Sequence, residues 1–407
     1  MSKIAINSPV LPPSSTGQAI VLYQLLKNHD PSEFIFLSNT NYSNPPKSDF
    51  FTDKLNTKYY YIPPAFTTNK FSRIERILAL YLKRIGNETF LKGILEERAL
   101  QVANILKYEN CDAIISCTAD IFGPPISYLA GRLMNIPFIL YAFDRYSTQW
   151  TTPYERKFAV EYEKIICNNA KGIIVPNEFL KLSYHQLYGL EPVIIHNPCD
   201  LSNYDYNSYF FPIQKTDRKI RVLYTGSIYK AQYDAFFSLL SAINKYSNQQ
   251  LELHIYTNQN PQLLRKCGIK GRVVFHGHIK TNLIPKIQQG ADILYLPLAF
   301  NSPYPEIIRT SSPGKMGEYL ASGRPILVHA PTDSYISWYF KEYKCGLVID
   351  KNDPLELAKG LEILISDTTF QEKLVQNAKK RAIVDFDLKK VRKKFFSTIN
   401  SITNQNP

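Results

Sequence analysis

Residues 220–227 read Ile-Arg-Val-Leu-Tyr-Thr-Gly-Ser, and this stretch decides the predicted fold. The run from Ile220 to Tyr224 is short, mostly apolar and bounded by turn residues, which is typical of a buried strand. A glycine-containing turn follows at Thr225-Gly226-Ser227, and the pattern from Asp234 to Tyr246 predicts a helix. Strand, loop and helix in this order indicate an α/β domain of the nucleotide-binding type.

The same alternation continues towards the C-terminus. Further strands are predicted at residues 251–256, 273–275, 293–296 and 326–328, with helices between them. Helical crossovers between successive strands imply a parallel sheet. We therefore predict a second α/β domain over residues 220–385, followed by a final helix and tail over residues 386–407.

Residues 201–219 are polar, rich in Tyr and Asn and without clear periodicity, so they are predicted to form a linker. The region before them, residues 1–200, repeats the strand–loop–helix pattern from its first residues. Strands are predicted at residues 3–7, 34–37, 113–116, 137–141, 172–175 and 192–195. Helices are predicted at residues 18–26, 71–106, 125–134, 155–170 and 178–188. A chain of 407 residues thus divides into two α/β domains.

Composition limits the cellular context. The first residues, from Met1 to Ile6, lack the apolar core of a signal peptide, and no apolar run reaches the length of about 18 residues that a membrane span needs. The six cysteines form no Cys-x-x-Cys pair and are interpreted as reduced thiols. We expect a cytoplasmic protein, with the inner face of the cell membrane as one location.

The net charge of +13 is concentrated in the second half of the chain and favours anionic partners. No nucleic-acid recognition motif accompanies this charge, so no nucleic-acid partner is expected. Residues 70–98 alternate basic and apolar side chains, as in a helix that lies on an anionic membrane, although a solvated face on a core helix has the same pattern. Residues 379–394 are also rich in Lys and Arg.

The stretch from Pro303 to Pro325 carries the strongest functional signal. Ser312-Pro313 is a good helix start and Gly323 a good helix stop, so a helix is predicted over residues 313–322. Its first turn would offer free N–H groups to a diphosphate. Lys315 would add positive charge there, and Glu318 could accept two ribose hydroxyls. An ion pair between Lys315 and Glu318, or a Glu318 that only complements the helix dipole, are the structural alternatives.

Residues 312–327, Ser-Pro-Gly-Lys-Met-Gly-Glu-Tyr-Leu-Ala-Ser-Gly-Arg-Pro-Ile-Leu, resemble the nucleotide-binding signature of retaining GT-B glycosyltransferases of family 4. Weaker likenesses extend over nearly the whole chain. They are Pro12–Gly17, His196–Asp200, Val222–Ser227, Val274–Ile279 and Ala291–Pro297. The resemblance implies two Rossmann-like doubly wound domains facing a central cleft, with the C-terminal helix returning to the first domain.

The resemblance also implies a site. The implied catalytic residues are Glu318, Lys315 and Asp144. The implied donor-binding residues are Gly226, Ser227, Lys230, Arg309, Thr310, Ser311, Ser312, Gly314, Lys315 and Glu318. The implied acceptor-side loop is Ser15, Thr16 and Gly17. The expected donor is a nucleoside-diphosphate sugar, the expected acceptor a glycan or lipid-linked saccharide, and neither a metal nor another cofactor is expected.

The chain departs from the family pattern at several positions. Thr310 stands where the first Glu of the Glu-x7-Glu motif belongs, and Glu306 lies four residues earlier. The first domain has Phe143-Asp144 in place of His-Asp, and Thr16 replaces the first Gly of the N-terminal pair. Asp144 could orient an acceptor hydroxyl or serve as a turn cap. Lys230, Arg309 and Lys315 are left as the candidate cations for the diphosphate.

Three functions therefore remain open from the sequence. The first is a retaining glycosyltransferase of polysaccharide biosynthesis. The second is a non-catalytic subunit or nucleotide-sugar-binding module with the same fold, which the missing family residues would suit. The third is a nucleotide-sugar epimerase, which would need cleft acids and histidines that the sequence does not offer.

Overall fold

The computed structural model of the chain describes residues 2–42, 53–63, 88–204, 212–213, 219–246, 251–277 and 279–404. The chain forms two compact units. The first comprises Met1–His196 with Val391–Pro407, and the second comprises Asn197–Lys390. The predicted α/β class with two parallel sheets is confirmed. The division differs from the predicted boundaries at residues 200 and 386, and most of the predicted linker lies outside the described residues.

The described part of the first unit contains a seven-stranded parallel sheet in the order β3-β2-β1-β4-β5-β6-β7. Its strands are β1 (Ile4–Asn7), β2 (Phe34–Ser38), β3 (Lys58–Tyr61), β4 (Ala113–Cys117), β5 (Phe138–Tyr141), β6 (Gly172–Val175) and β7 (Val193–Ile194). Its described helices are α1 (Gly17–Leu26), α2 (Glu88–Glu109), α3 (Gly123–Met134), α4 (Pro153–Asn169) and α5 (Glu178–Tyr188). Strand β3 was not predicted, and residues 71–87 of the predicted long helix lie outside the described residues.

Successive side chains of these strands enter different cores, because a strand turns alternate residues to opposite faces. Ala5 and Ile114 pack with the helices α2 to α5 on one face. Ile6 and Ile115 pack with α1 on the other. Both faces of the central strands are covered, which is the usual condition of a parallel sheet and explains why these strands are mostly apolar.

The described part of the second unit contains a six-stranded parallel sheet in the order β10-β9-β8-β11-β12-β13. Its strands are β8 (Ile220–Thr225), β9 (Leu251–Tyr256), β10 (Val273–His276), β11 (Ile293–Pro297), β12 (Ile326–His329) and β13 (Leu347–Ile349). Its described helices are α6 (Tyr233–Ser241), α7 (Pro261–Lys266), α8 (Ile284–Gln289), α9 (Pro305–Thr310), α10 (Met316–Ala321), α11 (Tyr335–Glu342), α12 (Pro354–Ser366) and α13 (Thr368–Arg381).

The last helix, α14 (Leu388–Thr403), begins in the second unit and belongs to the first from Val391 onward. Val391, Phe395 and Ile399 lie in the same apolar core as α1. Arg392 donates hydrogen bonds to the carbonyl oxygens of Gln24 and Leu25 at the end of α1. The predicted return of the C-terminal helix to the first unit is thus confirmed. Within the described residues, no helix combines the length and the apolarity needed to cross a bilayer.

Candidate donor site

The sheet of the second unit reverses its strand order between β8 and β11. From β8 the chain proceeds to β9 and β10 on one side and later to β11, β12 and β13 on the other. Ligands of open α/β sheets bind outside the carboxyl ends of the strands at such a switch point. Here that position is the end of β8 at Thr225, followed by Gly226 and Ser227.

The loop after β8 has a fixed conformation. Gly226 has a φ of +115°, a region that side-chain-bearing residues rarely adopt. The Tyr224 hydroxyl donates to the Ser227 carbonyl oxygen at 2.8 Å. Gln259 accepts from the Ile228 backbone N–H at 2.6 Å and donates to its carbonyl oxygen at 2.9 Å. The predicted donor-binding residues Ser227 and Lys230 have exposed side chains on this loop.

The predicted start of the signature helix is wrong. Helix α10 begins at Met316, and Pro313, Gly314 and Lys315 form a turn before it, closed by a hydrogen bond from the Met316 N–H to the Pro313 carbonyl oxygen at 2.9 Å. Glycine after proline lowers the helix propensity of this turn. Among the described residues, the Ser312 hydroxyl has no hydrogen-bond partner, so Ser312 does not cap the helix.

Lys315 is therefore the residue before the helix, and its side chain reaches the loop after β8. Its Nζ lies 3.3 Å from Tyr224 Oη and 4.7 Å from the centroid of that ring. A Cβ added to Gly226 would lie 3.6 Å from the same Nζ. Among the described residues, Lys315 forms no direct ion pair with Glu318, so that structural alternative is wrong. The ammonium group is instead placed beside the glycine at the switch point.

Glu318 lies in the first turn of α10, and its Oε2 accepts a hydrogen bond from Gln288 Nε2 at 2.8 Å. Gln288 is fully buried, lies 3.4 Å from Thr225 Oγ1, and accepts from the Tyr204 hydroxyl at 2.8 Å. Burial raises the pKa of Glu318, while Gln288 and Lys315 lower it. One network therefore joins the carboxylate to the end of β8.

Two further contacts hold this network. The Tyr319 hydroxyl accepts from the Thr225 N–H at 3.1 Å. The Asn197 side chain donates to the Ser312 carbonyl oxygen at 3.0 Å. A Cβ on Gly317 would lie 3.1 Å from side-chain atoms of Cys199 and Phe386, so only glycine fits there without displacement. The segment that begins at Asn197 thus braces the signature motif and belongs to the second unit.

The predicted residues on and after α9 differ in their surroundings. Arg309 Nε lies 3.3 Å from Glu306 Oε2. Thr310 is buried and its hydroxyl donates to the Glu306 carbonyl oxygen at 2.9 Å, inside its own helix. Thr310, which stands where the family has an acid, therefore uses its hydroxyl in a hydrogen bond to the backbone of its own helix. Ser311 and Ser312 are half-buried, and Gly314 is exposed.

Asp144, in the first unit, follows β5 as predicted. Its carbonyl oxygen accepts from Thr118 Oγ1 at 3.1 Å and from Gln149 Nε2 at 3.3 Å. Burial raises the pKa of its carboxyl group to about 6. A carboxyl whose pKa is raised to about 6 and that follows a strand of the parallel sheet is a candidate for handling a hydroxyl proton.

The predicted acceptor-side loop lies at the start of α1. Thr16 is the residue before the helix, and its carbonyl oxygen accepts from the Ile20 N–H at 3.0 Å without a side-chain cap. Ser15 is half-buried, and Thr16 and Gly17 are exposed. A Cβ on Gly17 would meet open space, so packing does not require glycine there.

Replacing Asp144 with Asn is expected to stabilise the protein at neutral pH. Because the folded pKa is above the unfolded value, the ionised carboxyl lowers the free energy of unfolding, and this loss develops as pH rises from about 4 to about 6. The gain in the variant is at most about 3 kcal/mol, since one pKa unit corresponds to about 1.4 kcal/mol. Urea unfolding across this pH range measures it. Asp333→Asn, at an exposed position, is the control, and a difference independent of pH would contradict the prediction.

Glu163 is a buried carboxylate that the sequence did not reveal. It lies on α4 with 0% exposure and accepts from the Ser147 N–H at 3.0 Å, the Ser147 hydroxyl at 2.6 Å and the Tyr188 hydroxyl at 2.9 Å. Arg145 Nε lies 3.4 Å away. These contacts fix the turn that immediately follows Asp144. In the sequence, Glu163 looks like one more charge of an amphipathic helix.

Comparison with known proteins agrees with this architecture. Residues 67–203 match the model of Glycosyltransferase Family 4, and residues 219–367 match the model of Glycosyl transferases group 1. No curated protein sequence matches the chain significantly.

Among solved structures, a glycosyltransferase from Rickettsia africae ESF-5 aligns over 100% of this chain and 99% of its own, with a TM-score of 0.66 and 14% identity. HepE of Anabaena in complex with UDP-glucose aligns over 98% and 100%, with a TM-score of 0.66 and 13% identity. Sucrose-phosphate synthase of Thermosynechococcus elongatus aligns over 99% of both chains, with a TM-score of 0.69 and 14% identity. A glycosyltransferase family model thus matches part of each unit, and the similar solved structures agree with the two-domain GT-B fold.

Proposed function

We propose that this protein is a glycosyltransferase that moves a sugar from a nucleoside-diphosphate donor to a hydroxyl of a glycan or lipid-linked saccharide, with retention of the anomeric configuration, in polysaccharide biosynthesis. UDP is the first nucleoside diphosphate to test, because one of the similar structures is HepE in complex with UDP-glucose. The proposed acceptor class and the proposed retention of configuration are both based on the resemblance to family 4.

The observation that carries the proposal is the network at the end of β8. Glu318 is a half-buried carboxylate with one oxygen fixed by Gln288, and it can accept hydrogen bonds from the two hydroxyls of a ribose. Lys315 brings a cation to Gly226 at the same strand end. Every nucleoside-diphosphate sugar contains a ribose and a diphosphate, and this carboxylate and this ammonium could bind one each.

The proposed reaction requires few further side chains from the second unit. The bond between the anomeric carbon and the diphosphate oxygen breaks, the acceptor oxygen bonds to the same face of that carbon, and the proton of the acceptor hydroxyl passes to the departing diphosphate. Negative charge develops on the departing diphosphate, so a preorganised cation such as Lys315 stabilises the transition state more than the ground state. We assign Asp144 the role of orienting the acceptor hydroxyl, which its position after β5 and its raised pKa support.

The test is donor turnover by the purified full chain. UDP-, GDP- and ADP-sugars are supplied without acceptor and then with candidate saccharides, and the product anomer is read by proton NMR. We expect slow donor hydrolysis with one nucleotide class and a product of the donor's own anomeric configuration. Lys315→Met should lower kcat by about 100-fold or more, as removal of a transition-state donor does. Lys286→Met, an exposed lysine of the same unit, is the control.

Other outcomes favour the other functions. Binding of a nucleotide without any turnover would favour a non-catalytic module, which the buried Thr310 at the position of the missing acid also suits. Interconversion of the donor sugar would indicate an epimerase. An inverted product would overturn retention while leaving the donor site intact.

A further inference from the structure

Residues 379–394 form a strongly basic segment with eight Lys or Arg and two Asp. The segment spans the end of α13, a π-helical turn at Ala382–Phe386 and the start of α14. Apart from the half-buried Lys379, its charged side chains fall into two groups, those held by contacts inside the protein and those exposed to solvent.

Both arginines and both acids are held internally. Arg381 pairs with Asp385, whose carboxylate also accepts from the Tyr339 hydroxyl at 2.5 Å. Arg392 is bound to backbone oxygens of α1. Asp387 accepts from the Lys389 N–H at 2.8 Å and so begins α14. These contacts leave a surface of lysines without an exposed acid of the same segment beside them.

The lysines are the exposed members. They are Lys380, Lys389, Lys390, Lys393 and Lys394. On α14 the pairs Lys389/Lys393 and Lys390/Lys394 are four residues apart and therefore share a helix face. The four lysines of α14 thus fall on two neighbouring faces of that helix.

Two aliphatic side chains are exposed in the middle of this charge. Ile383 is 41% exposed and Val384 is 49% exposed, in the π-helical turn. Their neighbours Ala382 and Phe386 are buried and anchor the turn. Lys390 Nζ donates to the Ile383 carbonyl oxygen at 2.9 Å, so an ammonium group lies beside the exposed pair.

We infer that this surface, Lys380, Ile383, Val384, Lys389 and Lys390, docks the protein on an anionic membrane. Lysines attract anionic headgroups, and aliphatic side chains among them can enter the interface between headgroups and acyl chains. A nucleic acid would satisfy the charge but would leave the aliphatic pair in water. This surface is distinct from residues 70–98, most of which lie outside the described residues. Membrane contact would give the enzyme access to a lipid-linked acceptor, and this use of the contact rests on the proposed function. The membrane contact itself does not depend on that function.

The experiment is co-sedimentation of the full chain with vesicles, in the absence of donor. Vesicles of phosphatidylcholine alone are compared with vesicles of equal parts phosphatidylcholine and phosphatidylglycerol, at low and high salt. We expect binding to the anionic vesicles only, weakened by salt. Changing Lys380, Lys389 and Lys390 together to Gln should lower the partition coefficient by roughly fivefold per lysine. Ile383→Ser with Val384→Ser should also weaken binding, including at high salt.

Matched variants separate this surface from the overall positive charge. Lys266, Lys270 and Lys286, changed together to Gln, remove the same charge from exposed positions elsewhere in the second unit. Leu263→Ser with Leu355→Ser removes two exposed aliphatic side chains there. The inference would be overturned if the test and control variants lost vesicle binding equally. It would also be overturned if the protein bound duplex DNA, used as a second anionic probe, but did not bind the vesicles. Unchanged UDP binding by every variant keeps this result separate from the donor site.

Discussion

Glu318→Ala is expected to weaken donor binding by roughly 100-fold or more with little change in the stability of the protein. Two charge-assisted hydrogen bonds to a ribose contribute together about 3 kcal/mol or more, and that loss raises Kd by roughly 100-fold or more. The stability should change little, because the removal of a carboxyl whose ionised form burial disfavours offsets the loss of the acceptor for the buried Gln288. A carboxyl whose ionisation is disfavoured by burial and that is nevertheless held in place by a hydrogen bond is the kind of group that binding sites contain.

Isothermal titration with UDP and thermal unfolding of the same samples measure both parts. Glu342→Ala, which removes an exposed carboxylate of the same unit, is the control and should change neither. The sign of the pH effect adds a further check. Since the folded pKa is raised, the wild type should gain stability relative to the variant as pH falls through the range of this carboxyl. Wild-type affinity in Glu318→Ala would remove the residue from the donor site.

The sequence predicted the sheets well because their signal is local. A strand buried on both faces must be apolar along its length, and a helix that packs on it must be amphipathic. Residues 172–175, 178–188 and 251–256 are found as predicted, with the same first and last residue. The strand β3, Lys58–Tyr61, lacks this signal, because its side chains are half-buried or exposed at the edge of the sheet.

The site was predicted less well because its geometry depends on residues far apart in the chain. The sequence was sufficient to predict that Glu318 lies near the start of a helix that follows a loop. It was not sufficient to predict its hydrogen-bond partner Gln288, because an amide near the end of a short helix resembles a solvent-exposed residue. The placement of Lys315 against Tyr224 and Gly226 depends on the helix beginning at Met316 rather than at Pro313. Only the fold brings these residues together.

Glu163→Ala is expected to destabilise the first unit by about 3–5 kcal/mol, the range measured when one partner of a buried ion pair is removed. The substitution leaves the Arg145 guanidinium without its carboxylate, and it leaves the Ser147 N–H and the Tyr188 hydroxyl without an acceptor. Urea unfolding followed by circular dichroism measures the change. Glu161→Ala, on the exposed face of the same helix, should stay within about 0.5 kcal/mol of the wild type.

Glu163→Gln distinguishes charge from shape. The amide keeps one acceptor oxygen for the Ser147 N–H but no longer balances the charge of Arg145, so its loss of stability should lie between those of wild type and Glu163→Ala. If Glu163 also keeps Asp144 in place through the turn at Arg145–Ser147, the Gln variant should lower kcat more than it changes KM for the donor, because the donor network lies in the other unit. Equal stability of all three proteins would show that the buried carboxylate contributes no net stability.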